Sequence, residues 1–368
     1  MASEFKTKSG GHRLEYLDFL RGTGAVIMLH GHVWDSFLRD DLRNRGPYIF
    51  SQFLGGMPPA IFLFLTGVTL GFLMDSSERK GMGPRQRVLT AFRRSGYLFF
   101  LAFAFRIQLW IFGIPAPWRD LLKVDVLNCM GFAIAALSIL ALFPTRERAK
   151  MAAFTGLAVA MVSPLVSMLP WDSVPWLIRN YLAPDYRSFG FFPWGAYLAF
   201  GVAAGSTIRA IPADATERAM QWAAMLGGGA ILVCHFLDNL PYTLYPKSEY
   251  WLNSPLQILT KQGVTLVILS VAFMWTRYAS GDGWSWVRQF GVTSLLVYWV
   301  HIELVYGREL FFLKNHLSEA QTLIAAVCVI LLMLAISVVK TRWKEIRAFL
   351  GAAGWWSAAP KTERVPGD

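Results

Sequence analysis

Stretches of apolar residues about as long as a membrane-spanning helix recur along the whole chain, separated by short polar connections. Read by hydrophobicity alone they fall at 15–34, 53–74, 94–113, 124–143, 151–169, 189–208, 219–238, 258–276, 289–306 and 319–339. This pattern predicts an all-α fold, a polytopic membrane bundle of about ten transmembrane helices. A short N-tail (1–13), a membrane domain (14–340) and a C-tail (341–368) complete the expected organisation. The run after the N-tail is too long and too charged for a cleaved signal peptide, so it is read as a permanent first helix. The C-tail beyond Phe349 is expected to be poorly ordered, being rich in Gly, Ala, Pro and mixed charge.

The first span departs from the pattern. Asp18, Arg21, His30 and His32 lie in or beside it. Ionisable groups at membrane depth are costly and usually face a bundle interior or a wet cavity. His30 and His32 are roughly 200° apart around a helix, so one regular helix cannot turn both toward one cavity. Asp18 and Arg21, three apart, are placed to pair on one face.

Composition agrees with a membrane protein: 55% hydrophobic, 16% charged, mean hydropathy +0.40, against roughly 25% charged for an average soluble domain. A net charge of +11 could suggest nucleic acid, but its placement argues against that. With an even number of spans the termini share a side. That side carries 22 Lys and Arg and the other 11, with Arg94 and Lys261 counted in the adjoining connections and Arg21 and Arg106 left within spans. The positive-inside rule then puts both termini in the cytoplasm. Cys129, Cys234 and Cys328 lie in separate spans without a CxxC pair, and are read as packing residues rather than a disulfide or metal set. Gly67–Gly71 and Gly201–Gly205 have the spacing of close helix packing.

The topology gathers polar residues at the outer ends of the spans. His32, Arg106, Gln108, Asp125, Asn128, His235, Asp238, Lys261, Gln262, His301 and Glu303 all fall there. Helix-end residues satisfied at an interface would gather there as well. His32 is the best candidate base, because imidazole can take and return a proton near neutrality; the alternative is a structural histidine. Asp35, three residues on, could orient its ring. His301 is a second base or a hydrogen-bonded packing residue. Arg106 pairs with Asp125 or holds a substrate anion. Arg85, Arg87, Arg93 and Arg94 form a basic run at an inner connection that serves as a topology signal or as an anion site. Walker, HExxH and GxSxG motifs are absent from the sequence, which removes support for ATP-driven transport, metalloprotease and serine hydrolase readings.

Arg13-x4-Asp18-x2-Arg21-Gly22, with His32 ten intervening residues after Arg21, resembles the opening motif of the transmembrane acyltransferases. Residues 59–70, 122–131, 192–195 (Phe-Pro-Trp-Gly) and 294–301 (ending Tyr-Trp-Val-His) resemble the heparan-α-glucosaminide N-acetyltransferase-like branch and its bacterial relatives. The resemblance covers residues 13 to 306. It implies a multi-pass enzyme of a bacterial cytoplasmic membrane that moves an acetyl group from cytosolic acetyl-CoA to an extracytoplasmic acceptor, usually a sugar. It implies His32 as base, and leaves a homodimer open. The animal lysosomal enzyme looks to have Asn at that position and its histidine in the following loop. Residues 35–52 here contain no histidine, so His32 acts alone or with Asp35 or His301. Acyl transfer needs a base and donors for the oxyanion. Arg106, Gln108, Asp125, Asn128, Trp194 and Glu303 are the candidate acceptor and oxyanion contacts. Arg21, Arg85, Arg87, Arg93 and Arg94 are the candidates for the CoA end, with no metal expected. A transporter or flippase using the same cavity, and a structural or signalling protein, are the competing readings.

Overall fold

The computed structural model describes residues 14–279, 283–343 and 345–347. The N-tail, Arg13 of the opening motif and the C-tail beyond residue 347 lie outside the described residues. Thirteen α-helices make up the described fold: α1 Glu15–Phe37, α2 Gly46–Gly55, α3 Pro58–Arg79, α4 Pro84–Phe112, α5 Val126–Leu137, α6 Thr145–Ser167, α7 Trp176–Leu182, α8 Phe191–Ala210, α9 Thr216–Asp238, α10 Pro255–Met274, α11 Trp286–Val292, α12 Ser294–Tyr306 and α13 Glu319–Thr341. Among the described residues no β-strand forms. A chain of this pattern must satisfy its backbone polar groups within each segment, and helices do so.

Every apolar stretch read from the sequence is helical. Seven segments are long and apolar enough to cross a membrane, and residues 126–142 and 294–306 form shorter apolar helices. The protein is a polytopic helical membrane protein. The boundaries differ from the hydrophobic runs in three places. The basic run 85–94 is not a loop but the first turns of α4, because Pro84 starts the helix at N1 and nothing after it breaks the turn. The second run is broken at Gly56–Met57, with Pro58 and Pro59 opening α3. The ninth is broken at Thr293, between α11 and α12.

The bundle is held by close approach of small residues and by polar clusters at depth. α3 crosses α8 where Gly67 meets Gly201: a methyl group on Gly67 would lie 2.0 Å from the Leu198 carbonyl oxygen and 2.9 Å from the Gly201 Cα. The two Gly-x-x-x-Gly pairs thus face each other. α1 and α11 approach as closely at Gly22 and Gly291. Large apolar side chains such as Phe100, Leu226, Leu232, Ile324 and Leu331 remain exposed on the outer helices, as lipid contact requires. At the end of the bundle where α1 begins and α3 finishes, the fully buried Arg148 binds Glu78 (3.1 Å), Thr145 and Ser206. This cluster joins α3, α6 and α8.

Candidate active site

At the opposite end, the last turns of α1 and the middle of α12 bring two histidines together. His32 Nδ1 lies 2.9 Å from His301 Nε2, with the rings stacked at 5.1 Å and 17°. His301 is fully buried, and its Nδ1 is 2.7 Å from the Val297 carbonyl oxygen. A carbonyl only accepts, so His301 Nδ1 carries a proton. In the neutral ring Nε2 is then the acceptor, and His32 Nδ1 must donate to it. The remaining nitrogen of His32, Nε2, is left with its lone pair. His32 borders a cavity of about 1010 Å³. The pair therefore fixes the tautomer of His32 from behind and leaves an acceptor nitrogen on that ring. His30, on the other side of α1, packs at a tilt against Trp34 instead.

Asp35 does not orient the His32 ring. Its carboxylate accepts from Tyr306 (2.9 Å) and Tyr48 (3.4 Å). Tyr306 in turn stands edge-on to His32 at 5.2 Å. Asp35 thus acts on the tyrosine flanking the ring, and His301 takes the ring nitrogen. The connection after α12 closes over this end. Lys314 donates to the carbonyls of Tyr306 (2.7 Å) and Gly307 (2.8 Å), and burial lowers its pKa. Arg43 bridges the Asp35 carbonyl and the Asn315 side chain, both at 2.8 Å.

Across the cavity, Arg106 Nε is 3.1 Å from Asp125 Oδ2, joining α4 to the start of α5. The contact is close but not aligned as a hydrogen bond. Asp125 also caps α5, accepting from the amides of Leu127 and Asn128, both at 3.0 Å. Asn128 completes this capping box and donates to the Tyr181 hydroxyl at 3.3 Å. It is 1% exposed and does not border the cavity, so it is a helix-capping residue rather than a substrate contact. Gln108 also lies behind the wall. It accepts from Trp299 (2.5 Å) and donates to Glu303 (3.1 Å), tying α4 to α12. Trp194 backs the wall too. Its ring packs on Phe189, a cavity residue, at 5.1 Å, and Lys261 Nζ lies 5.7 Å from its centre.

Of the residues singled out from the sequence, His32, Asp35, Arg106, Asp125 and Glu303 border the cavity. The arginines expected at the CoA end do not. Arg21 is paired with Asp18 at 2.9 Å. Arg87 is largely buried, 3.5 Å from Glu78 and bonded to the Leu142 carbonyl, which commits it to the inner charge cluster. Arg85, Arg93 and Arg94 are exposed on α4, and Arg94 borders a separate cavity of about 240 Å³ with Thr66 and Thr69. Sequence reasoning missed Tyr306, Arg187, Arg308 and Lys314, which complete the wall. A tyrosine at the end of a span looks like any interfacial anchor, and the other three stand in connections where a basic residue is ordinary.

The fold and site define a helical membrane protein with a histidine pair, His301 buried and His32 at the edge of a cavity that carries both charged and apolar side chains. Residues 14–342 match the model of a family described as an acyltransferase domain. The match spans nearly the whole chain, and the protein belongs to that family of membrane acyltransferases. No curated protein matches the chain significantly.

Proposed function

We propose that the protein transfers an acetyl group from cytosolic acetyl-CoA to a hydroxyl or amine of a glycan on the extracytoplasmic side, with His32 as general base. The observation carrying this reading is the His32–His301 contact at 2.9 Å. It leaves His32 Nε2 able to accept a proton at the edge of the cavity. In the transfer, Nε2 takes the proton of the acceptor O–H or N–H as that atom attacks the thioester carbonyl. The tetrahedral oxyanion collapses and the C–S bond breaks. The proton on Nε2 passes to the departing thiolate, giving CoA and the acetylated acceptor. His301 keeps its hydrogen bond to His32 Nδ1 throughout and is a positioning residue. Arg106 and Tyr298, on the cavity wall, are the donors assigned to the oxyanion among its several N–H and O–H groups.

A glycan acceptor is supported by the cavity's character. Its wall carries five basic and five acidic side chains together with Tyr186, Phe189, Tyr298 and Tyr306. Balanced charge with aromatic faces suits a neutral polyhydroxylated ligand better than a strongly anionic one. The finer resemblance to the heparan-α-glucosaminide N-acetyltransferase-like branch points the same way. The positive-inside bias supports cytoplasmic termini and so a cytosolic donor entry, and the resemblance to bacterial relatives supports a bacterial cytoplasmic membrane as the location. The exposed Arg85, Arg93 and Arg94 are suited to the CoA phosphates. Arg94 lies twelve residues before Arg106, about 18 Å along α4, a distance the extended pantetheine arm must cover.

The test is release of free CoA by the purified protein in nanodiscs with mixed glycan acceptors. His32→Ala is expected to lower turnover about 10²–10⁴-fold, the usual contribution of a positioned base, with acetyl-CoA binding retained. Wild-type protein that neither binds nor turns over acetyl-CoA would remove the donor assignment. Solute movement without CoA release would favour a transporter.

A further inference from the structure

A second cavity, of about 530 Å³, lies at the end of the bundle away from the histidine pair. It is framed by the start of α1, the ends of α3 and α8, the start of α9 and the π-helical turn Trp275–Ala279 that follows α10. Its floor is apolar, formed by Leu14, Ile208, Ile211 and Phe273. Its rim carries Arg79, Arg209 and Arg277.

Three guanidinium groups meet two carboxylates here. Asp75 holds Arg79 at 2.9 Å, and its nearest approach to Arg209 is 3.9 Å. Glu217 stands 3.6 Å from Arg277 and also accepts from Tyr278. At 3.9 Å Arg209 is in an ion pair but not in a hydrogen bond. Its guanidinium lies over the Phe72 ring at 4.6 Å, and its N–H groups make no hydrogen bond among the described residues. That planar fork is shaped for two oxygens of one anion. Arg277 is 64% exposed and remains open to a ligand, while Arg79 is engaged with Asp75 and donates to the Arg209 carbonyl oxygen at 3.0 Å.

An independent observation points the same way. Tyr16 borders this cavity, is 6% exposed, and its buried hydroxyl has no hydrogen-bond partner among the described residues. Leaving such a group unsatisfied costs about 1–3 kcal/mol, so buried hydroxyls normally have an acceptor. An anion seated between Arg209 and Arg277 would supply one.

We propose that this cavity binds a phosphate group, carried either by an anionic phospholipid headgroup or by a soluble phosphate compound. Basic pockets between transmembrane helices at the cytoplasmic surface take phospholipid headgroups, and the apolar floor beneath the arginines suits the adjoining acyl chains. The site is separate from the histidine cavity and does not depend on the acyl-transfer reading.

The experiment uses the full chain in two arms. In the first, native mass spectrometry follows lipid retained from phosphatidylcholine nanodiscs with and without phosphatidylglycerol. In the second, calorimetry measures pyrophosphate binding to the detergent-solubilised protein. Wild type is expected to retain phosphatidylglycerol over phosphatidylcholine, to bind pyrophosphate, or both. Arg209→Gln and Arg277→Gln are each expected to weaken that binding about tenfold, the loss of about one charge-assisted hydrogen bond. Tyr16→Phe should weaken it by a smaller factor. Arg146→Gln, at an exposed arginine of α6 outside both cavities, should leave it unchanged. Arg277→Gln alters an exposed side chain, and an unchanged melting curve separates its effect from misfolding. Retention of phosphatidylglycerol alone identifies a headgroup, and pyrophosphate binding alone a soluble ligand. Neither binding in wild type, or binding equal in wild type and both arginine variants, overturns the proposal.

Discussion

The proposed acyl transfer rests on one acceptor nitrogen, His32 Nε2. His301 holds His32 in the tautomer with a proton on Nδ1 because its own Nδ1 is committed to the Val297 carbonyl. Two replacements separate this positioning from simple packing. In His301→Gln the side-chain carbonyl oxygen can still accept from His32 Nδ1, and CoA release is expected to stay within about tenfold of wild type. His301→Leu fills similar space without an acceptor, and roughly a hundredfold loss in kcat with KM little changed is expected. Equal loss in the two variants would show that His301 only fills space. Asp35→Asn tests the flanking tyrosine: the amide can still accept from Tyr306, so kcat should fall by less than in His301→Leu. Steady-state kinetics on the three variants make both comparisons.

At the scale of elements, the site depends on where helices start and how closely they cross. Asp125 serves twice, as the N-cap of α5 and as the partner of Arg106. Asn128→Ala removes the return half of the capping box and the hydrogen bond to Tyr181 while the Asp125 carboxylate still caps α5, and about 1 kcal/mol of stability should be lost, with little effect on turnover at saturating acceptor. The helix crossing is less forgiving. A leucine at Gly67 or Gly201 cannot fit against backbone 2.0 Å from its Cβ, and α3 would be pushed from α8. Pro58 and Pro59, at the start of α3, border the histidine cavity. Gly67→Leu is therefore expected to lower both the melting temperature and acetyl transfer, whereas Gly228→Leu, at a position with open space around it, should change neither. Thermal melts with activity assays decide it.

Across the whole molecule, the two ends of the bundle carry different kinds of polar structure. The end with the histidines has a large cavity with open acceptors. The other end has a dense charge cluster around Arg148, with Glu78, Asp75 and Thr145 tying α3 to α6. Removing one partner of a buried pair leaves the other uncompensated. Glu78 retains Arg87 at 3.5 Å and is partly exposed, which moderates the cost. Arg148→Met is expected to destabilise the protein by about 2–3 kcal/mol, read as a lower melting temperature in nanodiscs. The histidine cavity lies at the opposite end of the bundle from this cluster, so the KM for the acceptor should be the same in the folded fraction.

The sequence by itself determined the helical membrane architecture, since runs of apolar residues of spanning length admit few other folds. It also put His32, Arg106, Asp125 and Glu303 at one end of the bundle, because the order of spans locates each helix end. His32 was legible as a base candidate from its place in an otherwise apolar segment. Its partner was not. His301 lies 269 positions away, and nothing in local spacing separates it from Asp35, which stands one helical turn from His32. Only the packing of α12 on α1 decided between them, by setting His301 Nε2 within hydrogen-bond reach of His32 while Asp35 turned to Tyr306. The same holds for the arginines. A basic run reads alike whether its members are exposed, as Arg85 and Arg93 are, or buried against a carboxylate, as Arg87 is. Composition and periodicity act along the chain, whereas pairing depends on which side chains the tertiary structure brings within a few ångströms.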